Sequence, residues 1–256
     1  MKKIVAFVGS GRKWRTQQAA ERFVDDLKAL GEYDCEIVRL SDHRLETCLG
    51  CKRCFEKGEE FCVLKDDRDT LFGKIESADG VVFATPNYTF HVSGHMKVFL
   101  DRFGYACHRP CYFGKASTAI VTQGFYGGKK ILKYYDFVAK ALGFNTVKGC
   151  ETPGLEEMSP QALKKFDAAL ADLAARFHRR LQAPAFPSPG LVKLFLFRWA
   201  RTSMGILLDE KSRDWRYYKD KGWFESDYYY PVRMGPFKKA TGSIFDWVGG
   251  KLAKKM

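Results

Sequence analysis

The sequence predicts an α/β fold in which a five-stranded parallel sheet is doubly wound in the order 2-1-3-4-5 and carries a C-terminal aromatic, basic extension. Three observations predict it. Five short apolar runs rich in β-branched residues recur in the first 183 residues; segments of helical periodicity separate them; and the turns after the first, third and fourth runs are polar or glycine-flanked. Right-handed crossovers and a count of five favour this strand order, which puts a ligand at the switch point between strands 1 and 3.

The runs are residues 4–8, 35–40, 81–85, 117–122 and 145–150. Between the first two, Ala19, Ala20, Phe23, Val24, Leu27 and Leu30 share one helical face, and Gly31 supplies a stop. A second helix enters through Asp66 and Asp67, whose carboxylates can cap free N–H groups, and presents Leu71, Phe72, Ile75 and Ala78 to the sheet. A third begins near Ser93. The fourth carries Ile131, Leu132, Tyr135, Val138 and Leu142 and closes at Gly143. The fifth opens at Ser159-Pro160 and repeats Leu163, Phe166, Leu170, Leu173, Phe177 and Leu181. After it, Pro184, Pro187 and Pro189 form a linker, so the reading is a sheet domain over 1–183 with a cysteine-rich loop at 46–64, and an extension over 184–256 with no assigned role.

With 256 residues, 46% of them hydrophobic, the chain can bury a sizeable core, which excludes disorder for most of its length. The apolar start ends at Val8, too short for a secretory leader or a membrane span, so a cytoplasmic protein is expected. Eight cysteines in such a chain point to metal or redox work rather than to disulfides. The net charge of +13 is unevenly spread: residues 184–256 hold fourteen Lys and Arg against seven Asp and Glu, more than half of the excess.

Strand 1 runs into Gly9-Ser10-Gly11-Arg12-Lys13-Trp14-Arg15-Thr16 and straight into a helix. Unpaired amides, the helix dipole, Ser10, Arg12 and Thr16 together suit a phosphate; the bland alternative is a solvated basic turn. The motif is neither GxGxxG nor a P-loop, which demotes a dinucleotide fold. Strand 3 ends in Thr85-Pro86-Asn87-Tyr88, followed by Thr89, Phe90 and His91. Pro86 stops the ladder, and the turn offers polar backbone groups and aromatic faces to a flat heterocycle such as isoalloxazine. Gln123, Gly124 and Tyr126, after strand 4, can close the far side of the ring. His91 and His95 read as surface histidines.

Cys48, Cys51, Cys54 and Cys62 form C-x2-C-x2-C-x7-C after strand 2. Thiolates at this spacing can wrap a 4Fe-4S cluster, as in ferredoxins, although the ferredoxin fourth interval and its following Pro are absent. Zinc and uncommitted redox-labile thiols stay open as alternatives. Cys35 and Cys150 fall within strand runs and read as small hydrophobes, whereas Cys107 and Cys111 have no assignment.

GSGRKWRT, CLGCKRCFEKGEEFC followed by KDD, ADGVVFATPNY and GHMKVFLDRF, in this order over residues 1–150, resemble the NAD(P)H-dependent FMN reductase-like flavodoxins, and within them the iron-sulfur flavoproteins. The resemblance implies a flavodoxin-like fold, non-covalent FMN, NAD(P)H as co-substrate, a homo-oligomer (dimer or tetramer) and, in the iron-sulfur branch, a 4Fe-4S cluster on Cys48, Cys51, Cys54 and Cys62 that exchanges electrons with a neighbouring subunit's flavin. It assigns Ser10, Arg12 and Thr16 to the phosphate, with Gln17 as the alternative to Thr16 because the loop is one residue shorter than the family's usual form. It assigns Thr85, Pro86, Asn87 and Tyr88 to the isoalloxazine turn, with Gln123, Gly124 and Tyr126 opposite. The expected activity is that of an FMN-dependent oxidoreductase serving a redox partner protein or a small-molecule acceptor, with the chemistry at the flavin and no catalytic acid or base. A non-enzymatic flavodoxin-type carrier and a zinc-stapled binding module are the rivals.

The extension has no counterpart in that family. Residues 190–208 and 244–255 mix large apolar side chains with Lys and Arg, which argues against a bilayer span. Packing on the core or on another subunit is the preferred reading, peripheral contact with an anionic membrane is the alternative, and no nucleic-acid module is present.

Overall fold

A computed structural model describes residues 1–253. In chain order the elements are β1 (Lys2–Val8), α1 (Arg15–Lys28), β2 (Tyr33–Arg39), α2 (Arg53–Glu56), α3 (Arg68–Ser77), β3 (Gly80–Pro86), α4 (Gly94–Asp101), α5 (Gly104–His108), β4 (Ala116–Gln123), α6 (Gly128–Ala141), β5 (Asn145–Thr146), β6 (Cys150–Pro153), α7 (Pro160–Gln182), α8 (Leu191–Leu207), α9 (Arg213–Asp220) and α10 (Pro236–Ala253). They divide into two compact units, Met1–Leu49 with Leu64–Ala185, and Gly50–Val63 with Phe186–Met256. The break after 185 falls within the proline linker, two residues past the expected boundary. The cysteine-rich segment, expected within the sheet domain, groups instead with the C-terminal unit.

In the first unit every sheet pairing is parallel and the order is β2-β1-β3-β4-β5, as the alternation predicts. Side chains of the central strands alternate between two buried faces, which is why those runs read as continuous apolar stretches. One face sends Ile4, Ala6, Val8, Val82, Ala84 and Ile120 against Phe23 and Leu27 of α1 and Leu170, Leu173 and Phe177 of α7. The other carries Phe7 and Phe83, paired in register, against Phe99 of α4 and Tyr135 of α6, with ring centres 4.9 and 4.8 Å apart for Phe7–Phe99 and Phe83–Tyr135. Each fully buried ring of this kind is worth roughly 1.5–3 kcal/mol over leaving it exposed.

The fifth run is two short strands rather than one, both paired with β4. Gly149 lies in the break: a Cβ there would come within 2.2 Å of the Ala119 carbonyl oxygen, so the backbones approach too closely for any other residue. Two helix starts match expectation, since the Ser93 and Ser159 hydroxyls accept from the amides of Met96 and Ala162 at 3.3 and 3.2 Å. Of the two aspartates expected to cap α3, Asp67 stands at the N-cap without a side-chain cap hydrogen bond, and Asp66 takes a first-turn amide. Asp67 accepts from the Arg44 amide at 2.8 Å, and Asp66 accepts from the amides of Glu46 (2.9 Å) and Arg68 (3.2 Å) and pairs with Arg102, both side chains being almost wholly buried.

The second unit is helical, where the sequence offered no clear pattern. Around α8 and α9, Phe197, Tyr218, Trp223, Tyr228 and Tyr229 bury against one another, and Trp223 Nε1 donates to the Tyr229 carbonyl at 2.9 Å. Helices α8 and α10 are joined by Asp246, which pairs with Arg198 at 2.9 Å and with Arg201 at 2.7 Å.

Replacing Asp66 by Ala removes the carboxylate paired with the buried Arg102 guanidinium, so urea unfolding is expected to show a loss of about 3 kcal/mol at neutral pH. Burial pushes the Asp66 carboxyl up, but the Arg102 hydrogen bond and the amides of Glu46 and Arg68 outweigh it and hold it below its ordinary value. Its contribution is therefore complete above about pH 4, the unfolded value, and lost as the pH falls through the lower folded one. The wild-type and Asp66→Ala stability curves should converge on acidification; parallel curves would exclude the pair as the cause.

Candidate functional site

The carboxyl ends of β1, β3, β4 and β6 open into one cavity of about 190 Å³, lined by Ser10, Arg12, Trp14, Arg15, Thr16, Pro86, Asn87, Tyr88, Thr122, Gln123, Gly124 and Gly154. Enclosed small-molecule sites run to roughly 300–1,000 Å³, so a ligand of that size would lie partly inside this cavity and partly across its rim.

At the inner end, the loop after β1 folds back on itself: Ser10 Oγ and the Trp14 amide both donate to the Arg12 carbonyl, at 2.9 and 3.0 Å. Trp14 is the N-cap of α1 and gives the helix no side-chain cap, so the first-turn amides and the positive end of the dipole are left for an anion. Arg12 is exposed, with its guanidinium 4.6 Å from the centre of the Trp14 ring. Arg15 donates to the carbonyls of Leu155, at 2.8 Å, and Glu156, tying α1 to the segment after β6. The lining holds two guanidinium groups and no carboxylate. This end of the cavity suits a phosphate.

The other walls are the turns after β3 and β4. The last ladder bonds bring them together: the Asn87 amide donates to the Thr122 carbonyl, and the Gly154 amide to that of Gln123, both at 2.8 Å. Asn87 Nδ2 donates to the Tyr126 carbonyl at 2.9 Å, and Gln123 Oε1 accepts from the Gly128 amide at 2.7 Å at the start of α6. Both side chains therefore brace the walls, leaving backbone edges and rings to face a ligand.

Residues 88–91 close on themselves, each end donating its amide to the other's carbonyl at 3.0 and 3.1 Å. Thr89 and Phe90 between them have φ of 50° and 61°, a two-residue turn that usually takes Asn-Gly. A β-branched and an aromatic residue in the left-handed region are strained, at about 1–2 kcal/mol each. The strain puts Tyr88 and Phe90 at the rim, half-exposed, with Phe90 5.2 Å from Tyr126, centre to centre. Gly127 fits beneath: its φ is 104°, and a Cβ would meet Phe90 at 3.0 Å and Asn87 at 3.2 Å.

Of the residues singled out by sequence, Ser10, Arg12, Thr16, Pro86, Asn87, Tyr88, Gln123 and Gly124 meet in this cavity. Three do not line it. Thr85 is buried behind it, its hydroxyl donating to the Pro86 carbonyl and accepting from the Ser93 amide at 3.0 Å each. The exposed Tyr126 ring lies against Phe90 outside the lining, and Gln17 is turned along α1 to donate to Glu21 at 2.9 Å. Thr16 lines the wall, but its hydroxyl is held by Thr122 at 2.7 Å. Trp14, Arg15, Thr122 and Gly154 were not singled out. Gly154 follows the last strand, and the rule that ligands collect at carboxyl ends would have found it. His91 and His95 are exposed, as read.

Cys48 and Cys51 are exposed, and Cys54 and Cys62 are half-buried. Among the described residues no three His, Cys, Asp or Glu side chains stand close enough together to hold a metal ion. Cys51, Cys54 and Cys62, which share one unit, thus form no three-thiol site for a single metal ion. Burial pushes the thiols of Cys35 and Cys150 up, the latter to about 12, which suits packing rather than redox work.

Residues 2–152 match the family described as NADPH-dependent FMN reductase. A protein of Archaeoglobus fulgidus described as an iron-sulfur flavoprotein is 30% identical over 189 residues, 70% of this chain and 81% of its own. Another so described, from Methanocaldococcus jannaschii, is 32% identical over 102 residues, 39% of this chain and 51% of its own, so this chain spans about half of that relative's length. Among solved structures, RosB with bound 8-demethyl-8-formylriboflavin-5′-phosphate superposes with a TM-score of 0.57 at 14% identity, covering 92% of both chains. An azoreductase from Bacillus anthracis gives 0.56 at 15% identity, covering 70% of this chain and all of its own. At these identities the superpositions show the flavodoxin-like fold alone.

The strained turn generates a test. Thr89→Gly is expected to raise the unfolding free energy by about 0.5–1 kcal/mol, the left-handed penalty less the cost of glycine's freedom, and Gly127→Ala to lower it. Urea midpoints measure both, and an unchanged or lowered midpoint for Thr89→Gly would mean that no strain is held there.

Proposed function

The chain belongs to the NADPH-dependent FMN reductase family, and on that premise we propose that it is an FMN-dependent oxidoreductase that draws electrons from NAD(P)H. It passes them to a redox partner protein or a small-molecule acceptor, and we place it in the cytoplasm as a homo-oligomer. The observation that carries this reading is the cavity, in which an uncapped helix start with two arginines faces two braced, aromatic-edged turns. When bound, FMN supplies the hydride and electron transfer chemistry.

The residues of the chain bind and orient. Arg12 and the first-turn amides of α1 would hold the phosphate, with Ser10 and the ring of Trp14 keeping the loop in place. The turns at 86–88 and 123–124 would hold the isoalloxazine, with the half-exposed rings of Tyr88 and Phe90 at the rim to cover it. No side chain is required to move a proton, and the lining holds neither a carboxylate nor a histidine.

The purified protein is expected to be yellow or to take up FMN, and to oxidise NADH or NADPH with FMN present. Binding of FMN without turnover of either nucleotide would make it a flavodoxin-type carrier, and failure to bind FMN would sink the reading altogether. Arg12→Ala should weaken FMN by about tenfold yet leave riboflavin, which lacks the phosphate, unchanged.

A second reading adds a 4Fe-4S cluster, favoured by the spacing of Cys48, Cys51, Cys54 and Cys62 and by the relatives' description. No electron step is routed through these thiols. Anaerobically purified protein with iron, acid-labile sulfide and absorption beyond the flavin bands would support it, and a flavin-only spectrum without iron would remove it.

A further inference from the structure

Glu151 of β6 stands beside Val121 of β4, and Gln123, two residues further along β4, projects from the same face of the sheet. The two side chains meet there: Gln123 Nε2 donates to Glu151 Oε1 at 2.7 Å. Among the described residues no Lys, Arg or His pairs with this half-buried carboxylate, so the amide is its partner. At the start of α6, Gly128 leaves room for both, since a Cβ there would come within 2.7 Å of Glu151 Oε1 and 2.9 Å of Gln123 Oε1.

We propose that Glu151 is a positioning residue: it turns the Gln123 amide so that one N–H is offered to an acceptor of the isoalloxazine. The proposal rests on the FMN reading above. An amide carries two N–H donors and an oxygen with two lone pairs, and beside neutral hydroxyls either end can face a partner. Here the neighbours dictate. A carboxylate only accepts, so it takes the nitrogen. The Gly128 amide only donates, so it takes the oxygen at 2.7 Å, where Asn87 Nδ2 also donates at 3.4 Å. The oxygen is thereby spent, and bracing the wall leaves Gln123 a single N–H. Gln123 lines the cavity and Glu151 does not, so that N–H is what the pair holds for a ligand. The carbonyl oxygens and ring nitrogens of isoalloxazine accept such a bond. A carboxylate behind the donor fixes it more firmly than a neutral partner, a charge-assisted bond being roughly twice as strong as a neutral one.

The test is a double-mutant cycle on FMN affinity, read by flavin fluorescence as the flavin-free full chain is titrated with FMN. Glu151→Ala is expected to weaken FMN about fivefold, the worth of one hydrogen bond, and Gln123→Ala to weaken it by as much. Because Glu151 acts through Gln123, the double variant should bind no more weakly than Gln123→Ala alone. Glu151→Gln, whose side-chain carbonyl still accepts, should restore the affinity to within about twofold of the unaltered chain. Glu151→Met keeps the volume without the oxygen acceptor and takes the place of Glu151→Ala in the cycle should that variant fail to fold. Unchanged affinity in Glu151→Ala, losses that multiply in the double variant, or a Glu151→Gln variant no better than Glu151→Ala overturns the proposal. An unaltered chain that takes up no FMN overturns the FMN reading together with it, whereas failure in the variants alone leaves that reading standing.

Discussion

The sheet register is the constraint on which the site depends. Ala84 lies beside Val8, and Thr122 beside Pro86, so β3 and β4 run two and three residues past the end of β1. Past those ends the backbone groups have lost their ladder partners. They are satisfied instead by the next turn along: Gly9 donates to Ala84, Asn87 to Thr122 and Gly154 to Gln123, all at 2.8 Å. Each turn is thus fixed by the strand next to it, and a one-residue slip would both invert the buried faces and pull the turns apart. The cavity is what remains where the crossovers from β1 and β3 leave on opposite sides.

Charge at the two ends of this unit is used in opposite ways. Arg102 is buried, paired with Asp66 and bonded to the Glu46 carbonyl at 2.9 Å, so it fixes chain to chain and has nothing to offer a ligand. Arg12 is exposed, leans on a ring and has no carboxylate beside it in the cavity. A guanidinium held by cation–π contact alone keeps its hydrogen-bonding edge for an incoming oxyanion. Arg15 stands between the two cases, spending its donors on the carbonyls of Leu155 and Glu156 and so closing the wall.

Most of the fold was legible because the central strands are buried on both faces and the helices between them carry one apolar stripe each. The rule for ligands at carboxyl ends then brought eight of the singled-out residues into one cavity. What was not legible has local causes. The break at Gly149 depends on a 2.2 Å approach to Ala119 that no periodicity records. Gln17 and Thr85 have suitable chemistry but find nearer partners, Glu21 and the Pro86–Ser93 backbone. The extension hid its three helices because its aromatic residues bury against one another, a pattern without a sheet to give it a period. The cysteine spacing speaks of chain distances, whereas a site for a single metal ion needs convergence in space, and among the described residues no three of these thiols supply it.

The net charge of +13 illustrates why a total says little about a partner. In the second unit, Arg198 and Arg201 are drawn inward onto Asp227 and Asp246, where they join helices and present nothing to a partner. Removing the two arginines and these two carboxylates from the count leaves the same surplus, but it is now carried mainly by lysines. Lysine keeps a compact, strongly hydrated charge on a flexible stem, suited to a surface with no fixed geometry, while the planar fork of arginine suits the fixed carboxylates of an interior pair. The arginines are therefore structural: through Asp246 they join α8 to α10 and hold the unit together.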